Sequence, residues 1–213
     1  MKKIIIVGAN SDIAKSLSEE NQFEFIKLSS KNSEFNVLKE ETFPVLDSID
    51  GLVYFPGTIN LKPFSSFKKE DFQKDYEVNV LGLINVLQFY KKSFNINSSI
   101  VTISSIAANF GMPYHSSISM CKSSVEALTK SLAAEWAPKI RLNCIAPSLI
   151  STKLTERLIN SESKKETIEK KHPLQSIGET NDISNTISFL ISNKSKWITG
   201  QIIRVDGGLS NIR

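Results

Sequence analysis

The chain has few of the residues that build covalent or metal frameworks: two cysteines and two histidines in 213 residues. Cys121 and Cys144 stand alone, without metal-ligand spacing, which argues against a zinc module or a disulfide scaffold and leaves two small buried hydrophobes. Long apolar runs are missing too. No stretch approaches the ~18 residues that a membrane-spanning helix takes. The opening MKKIIIVGAN sets two lysines before an apolar run, but Ile4 to Val7 is too short for the core of a signal peptide and no cleavage site follows. The expected location is therefore cytoplasmic, with no membrane partner. A large surplus of one charge is also absent. The net charge is +4, and the lysines are scattered apart from pairs such as Lys68-Lys69, Lys91-Lys92 and Lys164-Lys165. That is the pattern of solvated helix faces, and no nucleic-acid partner is expected.

What is present suits an ordinary globular protein. Apolar residues make up 40% and charged residues 23%, and 213 residues fit a single domain spanning 1–213. Short β-branched runs (Lys3 to Val7, Phe23 to Leu28, Phe35 to Leu38, Gly51 to Phe55, Ser99 to Ile103, Ile140 to Ala146 and the run after Trp197) read as strands. Between them lie helical patterns to about Glu20, over Glu40 to Ile49 with a break at Pro44, over Lys69 to Phe89, from near Ser117 to Trp136, and over Asn181 to Ser192. The alternation predicts an α/β fold: a doubly wound parallel sheet in a three-layer αβα arrangement. The polar segment 151–175 reads equally well as an amphipathic lid over a cleft and as solvated surface helices.

Two stretches carry chemistry. In the first, a strand, the turn Gly8-Ala9-Asn10-Ser11-Asp12-Ile13-Ala14 and a helix start make an anion cradle, where free backbone N–H groups and the helix dipole face the turn. In the second, a strand ends in Ser104-Ser105, a loop holds Gly111 and Pro113, and the next helix carries Lys122. A hydroxyl cluster at a strand's carboxyl end, facing a lysine on the next helix, is where an open α/β sheet places its ligand.

These stretches resemble the short-chain dehydrogenase/reductase family over almost the whole chain. Ile198-Thr199-Gly200-Gln201 followed by Val205-Asp206-Gly207-Gly208 is the most specific match. Asn79-Val80-Leu81-Gly82 is similar to the family's Asn-x-x-Gly element, whose asparagine bends a helix and holds a proton-relaying water. Of the family's Gly-x-x-x-Gly-x-Gly only Gly8 is kept, with Asp12 and Ala14 in place of the other glycines. Ala14 suits close helix–sheet packing, while Asp12 is either a phosphate-repelling carboxylate or a helix cap.

The resemblance implies a Rossmann-like fold binding a nicotinamide dinucleotide and acting on a small carbonyl or alcohol substrate. The turn residues Gly8, Asn10, Ser11, Asp12 and Ile13 would hold the pyrophosphate. Ser29, Ser30 and Lys31 offer no acid to a ribose 2′-hydroxyl, which favours NADP over NAD. Asn36 stands where the family contacts the adenine. Tyr54-Phe55-Pro56-Gly57 resembles Asn-Asn-Ala-Gly; its aromatics would close over the adenine side or fill the core. Pro147, with Ser148 replacing a glycine, Ile150 and Thr152 fall where the nicotinamide half is bound. The helix bearing Val125, Leu128, Leu132 and Trp136 implies a homodimer or homotetramer.

The family's catalytic set is a serine and a Tyr-x-x-x-Lys pair. Ser105 and Lys122 match, but Ile118 stands at the tyrosine position. An isoleucine transfers no proton. Tyr114 and His115 are the substitute donors within reach in sequence; their bland reading is a surface or substrate-lining side chain. The departures at Asp12, Ala14, Tyr54, Phe55, Ile118 and Ser148 are read as falling together in the cofactor cleft. Three functions follow: a reductase with altered or impaired proton donation, an inactive dinucleotide-binding sensor or subunit, and a scaffold without cofactor.

Overall fold

Ile4 and Ile6 lie in one apolar cluster and Ile5 and Val7 in another, because successive side chains of a strand leave on opposite faces. The computed structural model describes residues 1–31 and 34–212. Strands β1 (Lys2–Val7), β2 (Phe23–Leu28), β3 (Ile49–Tyr54), β4 (Phe94–Ile103), β5 (Ile140–Pro147) and β6 (Ile202–Val205) form one sheet in the order β2-β1-β3-β4-β5-β6. Every neighbouring pair is parallel. Buried on both faces, β1, β3, β5 and the later half of β4 read as mainly apolar runs, while the edge strands β2 and β6 are partly exposed.

Helices cover both faces. Ala14 and Leu17 of α1 (Asp12–Leu17) and Ile183, Ile187 and Leu190 of α6 (Thr180–Ile191) close over Ile4, Ile6, Val53, Val101 and Ile145. On the opposite face Leu83, Val86 and Tyr90 of α3 (Gly82–Tyr90) and Val125, Ala133 and Trp136 of α4 (Ser116–Trp136) close over Ile5, Leu52, Ile100 and Leu142. This is the expected α/β three-layer arrangement. Strand order reverses at β1, which β2 and β3 flank, so a crevice opens at the carboxyl ends of β1 and β3.

Four local expectations differ. Phe35 to Leu38 is a turn and not a strand: Asn36 Oδ1 accepts the Leu38 N–H at 3.0 Å, the local bond by which asparagine competes with a ladder. Between β2 and that turn, residues 32 and 33 lie outside the described residues. Over Glu40 to Ile49 only the turn Glu40–Thr42 is helical, because Phe43, preceding Pro44, is extended. The first helix ends at Leu17, before Glu20. On α4, finally, Val125 and Trp136 are buried against the chain's own sheet and Leu128 and Leu132 pack beside them, so that stripe is not left open for a partner. Cys121 and Cys144 are free and buried, and burial pushes their thiols up to about 11 and about 12.

Candidate functional site

The helix expected from Lys69 is interrupted where the site needs it. After α2 (Lys69–Tyr76) comes a π-helical turn, Glu77–Leu81, with Asn79 in its middle, before α3 begins. Such turns concentrate at functional sites. Tyr54 supports it from beneath: its hydroxyl donates to Val78 O at 2.8 Å. Tyr54 belongs to the core and not to the cleft, and burial raises its phenol far above the ordinary value. Gly82 is required by packing, since a β-carbon there would stand 2.6 Å from the Tyr54 hydroxyl.

Asn79 donates to Thr58 Oγ1 at 2.9 Å and Asp75 O at 2.8 Å. Its carbonyl oxygen, Oδ1, is buried and has no partner among the described residues. It faces Lys122 across Gly57: a β-carbon on Gly57 would meet Asn79 Oδ1 at 3.1 Å and Lys122 Nζ at 3.3 Å. Lys122 is 8% exposed, and among the described residues its amine makes one hydrogen bond, to Ile103 O at 2.9 Å. None of the ion pairs among the described residues involves it. Burial pulls the amine from 10.5 down to about 8.

Ser105 follows two residues after the carbonyl that Lys122 holds. Its Oγ accepts the Ala107 N–H at 3.2 Å and caps a short helical turn. Behind it a buried carboxylate organises the loop: Glu126 accepts from Ser104 Oγ at 2.8 Å and from Asn109 Nδ2. Four residues before Lys122, Ile118 is 4% exposed and buried. Asn79, Lys122 and Gly57 are thus gathered at one place, with Ser105 two residues beyond the carbonyl that Lys122 holds.

Tyr114 is held elsewhere. It has φ +70°, is 59% exposed, and its carbonyl accepts the Lys62 N–H at 3.3 Å. With Phe64, Phe110, Met112, Ser116 and Ser119 it lines a cavity of about 360 Å³, and Ser116 Oγ is buried there without a partner among the described residues. His115 Nδ1 lies 2.7 Å from Pro113 O.

At the other end of the cleft Gly8 takes φ +80°, a left-handed conformation natural only to glycine, and a β-carbon there would press on Pro56 Cδ at 3.0 Å and Phe55 Cβ at 3.2 Å. Asn10 Nδ2 donates to Ser29 Oγ at 3.0 Å, so Ser29 is buried beside the turn, while Ser30 and Lys31 are exposed. Ser11, not Asp12, caps α1: its Oγ accepts the Ala14 N–H at 3.1 Å. The Asp12 carboxylate instead accepts the Lys153 N–H at 2.8 Å and pairs with Lys15 at 3.6 Å. Its charge is turned to the loop after β5, away from the role of cap.

That loop carries the remaining predicted residues. Pro147 ends β5, Ile150 is buried and bridges Gly178, and Thr152 Oγ1 lies 3.0 Å from Thr155 Oγ1. Arg157 donates to Ile59 O at 2.7 Å, so the segment is fastened to both walls of the cleft. Beyond it lies α5 (Glu162–Glu169), mostly exposed. Ser148 Oγ lies 2.8 Å from His172 Nε2. Ala14, like Tyr54, is a core residue, so the six departures from the family pattern do not share one cleft.

Sequence reasoning missed three buried groups. Asp75, 0% exposed, accepts from Thr58 Oγ1, from Asn60 Nδ2 at 2.8 Å and from Ser117 Oγ at 2.6 Å. Its signal was its place one turn before Asn79. Glu126 and His172 offered none, since an acid on a helix and a histidine in a polar loop both look solvated.

The family model described as enoyl-(acyl carrier protein) reductase matches residues 5–210. The chain belongs to the short-chain dehydrogenase/reductase family. The family match and the reductases among its curated relatives support an NAD(P)-dependent oxidoreductase. The 3-oxoacyl-[acyl-carrier-protein] reductase FabG of Thermotoga maritima is 35% identical over 164 residues, covering 76% of this chain and 66% of that protein. The chain thus spans about two thirds of that relative's length. Among solved structures, 4-hydroxyisoleucine dehydrogenase complexed with NADH is 27% identical with a TM-score of 0.89, covering 100% of both chains. ElxO with NADP bound is 27% identical with a TM-score of 0.86, covering 98% of this chain and 99% of that one.

Proposed function

We propose that this short-chain dehydrogenase/reductase is an NADP-preferring reductase of a small carbonyl compound, also able to oxidise the corresponding alcohol, with proton donation altered by Ile118. The observation that carries the reading is the meeting of Lys122 Nζ and the unpartnered Asn79 Oδ1 at Gly57. A buried acceptor without a donor and a buried amine without a counter-ion are costly unless a ligand or water completes them. A dinucleotide fits this cleft. Gly8 to Ile13 would hold its pyrophosphate, with Asp12 drawn off by Lys153; Phe55, Pro56, Gly57 and Asn36 would border its adenosine half. Ser30 and Lys31, exposed at the end of β2, suit a 2′-phosphate. Pro147, Ile150 and Thr152 would border its nicotinamide half.

Bound there, the cofactor supplies the hydride. The Ser105 hydroxyl orients the substrate carbonyl, and Lys122 holds the ribose and sustains proton transfer. The aromatic cavity at Tyr114 borders the same β4–α4 loop and suits the body of an uncharged substrate. The names of the relatives recommend 3-oxoacyl thioesters and hydroxy amino acids as the first substrates to try. A cytoplasmic homodimer or homotetramer follows from the family likeness, and light scattering tests the assembly.

The second reading, an inactive dinucleotide-binding subunit, is favoured by one observation, the buried isoleucine at position 118. Titration with NADPH and NADH, followed by nicotinamide fluorescence and thermal shift, tests both. Saturable binding with NADPH tighter is expected. No binding of either at millimolar concentration would sink the cofactor and leave a scaffold.

A further inference from the structure

We infer that Lys122 itself is the acid that delivers the proton to the substrate oxygen, with a water on Asn79 Oδ1 returning the proton to its amine. The inference rests on the reductase reading above and adds the identity of the proton donor. In the reducing direction a hydride from a reduced nicotinamide reaches the carbonyl carbon with its electron pair. The C=O π pair moves to oxygen, one N–H bond of Lys122 breaks and one O–H bond forms. The amine, now neutral, regains a proton from solvent through the water. Alcohol oxidation runs the same steps in reverse, with Lys122 as base.

Three observations carry this. The donor position is a buried hydrocarbon, Ile118. The two substitutes nearest in sequence are not among the groups that meet at Gly57: Tyr114, 59% exposed, lines the outer cavity beside Phe64 and Phe110, and the His115 ring is turned onto Pro113 O. Third, among the described residues the Lys122 amine meets a single acceptor, Ile103 O, and stands across Gly57 from a buried acceptor that has no partner there, Asn79 Oδ1. An ammonium carries three N–H donors, so two remain for the cleft.

The groups around Lys122 leave the ammonium uncompensated. On α4 and β5 the thiols of Cys121 and Cys144 are raised by burial and stay neutral. Glu126, also on α4, is taken up by Ser104 and Asn109. Asp75, on α2, is taken up by Thr58, Asn60 and Ser117. Burial therefore dominates and lowers the amine to about 8. That brings it into the range where general acids work at neutral pH, which a solvated lysine at about 10.4 does not reach.

The test has two arms. In the cofactor-free protein, ¹⁵N-lysine spectra, with Lys122 assigned from the Lys122→Arg variant, should show its amine becoming neutral near pH 8. An ammonium persisting above about pH 10 overturns the inference. In the second arm NADPH-dependent carbonyl reduction is followed from about pH 6 to about pH 10. The kcat should be flat below about 8 and fall about tenfold per unit above it. Lys122→Arg keeps the charge but holds its proton. It should lose about a hundredfold or more in kcat while still binding NADPH by nicotinamide fluorescence. Tyr114→Phe, which keeps the ring that lines the outer cavity, should still turn over and show the same fall in kcat above about 8, whatever it does to KM. A flat profile, an active Lys122→Arg or a dead Tyr114→Phe overturns the inference while the reductase stands. NADPH binding without turnover at any pH also overturns it. Failure to bind NADPH removes the reductase reading itself, and the inference with it.

Discussion

Lys122 Nζ and Asn79 Oδ1 lie 3.3 and 3.1 Å from the point where a β-carbon on Gly57 would stand, approached from two different helices. A glycine is needed there for close approach, since Gly57 is not among the residues with positive φ. Gly57→Ala should therefore fold with a stability change under about 1 kcal/mol. Its methyl would crowd the two polar atoms on which the proposed cofactor site depends. NADPH affinity should fall at least about tenfold, or about 1.4 kcal/mol. Fluorescence titration beside urea denaturation separates the two effects, and unaltered affinity would move the cofactor away from Gly57.

The buried amine also makes stability depend on pH in a definite direction. In the unfolded chain Lys122 keeps its proton up to about 10.5, and in the fold only up to about 8. Between those values the unfolded chain binds more protons, so this group makes stability rise as pH rises. Below about 8 the full cost is present, on the order of 3 kcal/mol. Lys122→Met removes the charge and keeps the bulk. It should be more stable than the parent at pH 7, with an advantage that shrinks towards pH 10. Urea midpoints at the two pH values check this; an advantage that grows with pH would contradict it.

Much of the fold could be read from local pattern, because β1, β2 and the core of β4 are apolar runs bounded by turn residues. The Asn79 turn and the Ser105–Lys122 segment were legible because their spacing sits within one helix or one strand–loop–helix unit. Failures came where a distant or competing partner decides. Asn36 closes its own turn and ends any strand at Phe35 to Leu38. Asp12 read as either a phosphate-repelling carboxylate or a cap, while its partner, the Lys153 amide, lies 141 residues along the chain. Tyr54 stood in an asparagine's place and read equally as a cleft or a core residue, a choice that local pattern could not make. Its hydroxyl is spent under the π-helical turn. Asp75 and Glu126 sit among polar helix residues, and only the folded chain reveals that each gathers donors from separate segments.

Tyr54 gives a prediction about how that turn is held. A π-helical turn shifts the hydrogen-bond ladder by one residue, and here Val78 O receives the Tyr54 hydroxyl at 2.8 Å. Tyr54→Phe keeps the ring and leaves that carbonyl short of a donor in the core. The expected loss is about 1–3 kcal/mol in urea denaturation. Faster hydrogen exchange at Asn79 and Val80 should accompany it, since the turn loses its support. A loss spread evenly over the sheet, with exchange at the turn unchanged, would show that the hydroxyl only fills space.

Asp12 joins the first turn of α1 to the loop after β5, through the Lys153 N–H at 2.8 Å. The same loop is fastened on the other wall of the cleft by Arg157 on Ile59 O at 2.7 Å. Asp12→Ala cuts one fastening and leaves the other. Ser11 still caps the helix, so α1 should persist and the global loss should be about 0.5–1.5 kcal/mol, the value of one hydrogen bond. The local effect should be larger: hydrogen exchange at Lys153 should accelerate by at least about tenfold, with α1 unchanged. Asp12→Asn keeps an acceptor oxygen and should retain most of the protection, although its pairing with Lys15 is lost. Equal exchange at Lys153 in Asp12→Ala and the parent would mean that Arg157 and the Thr152–Thr155 contact hold the loop without Asp12.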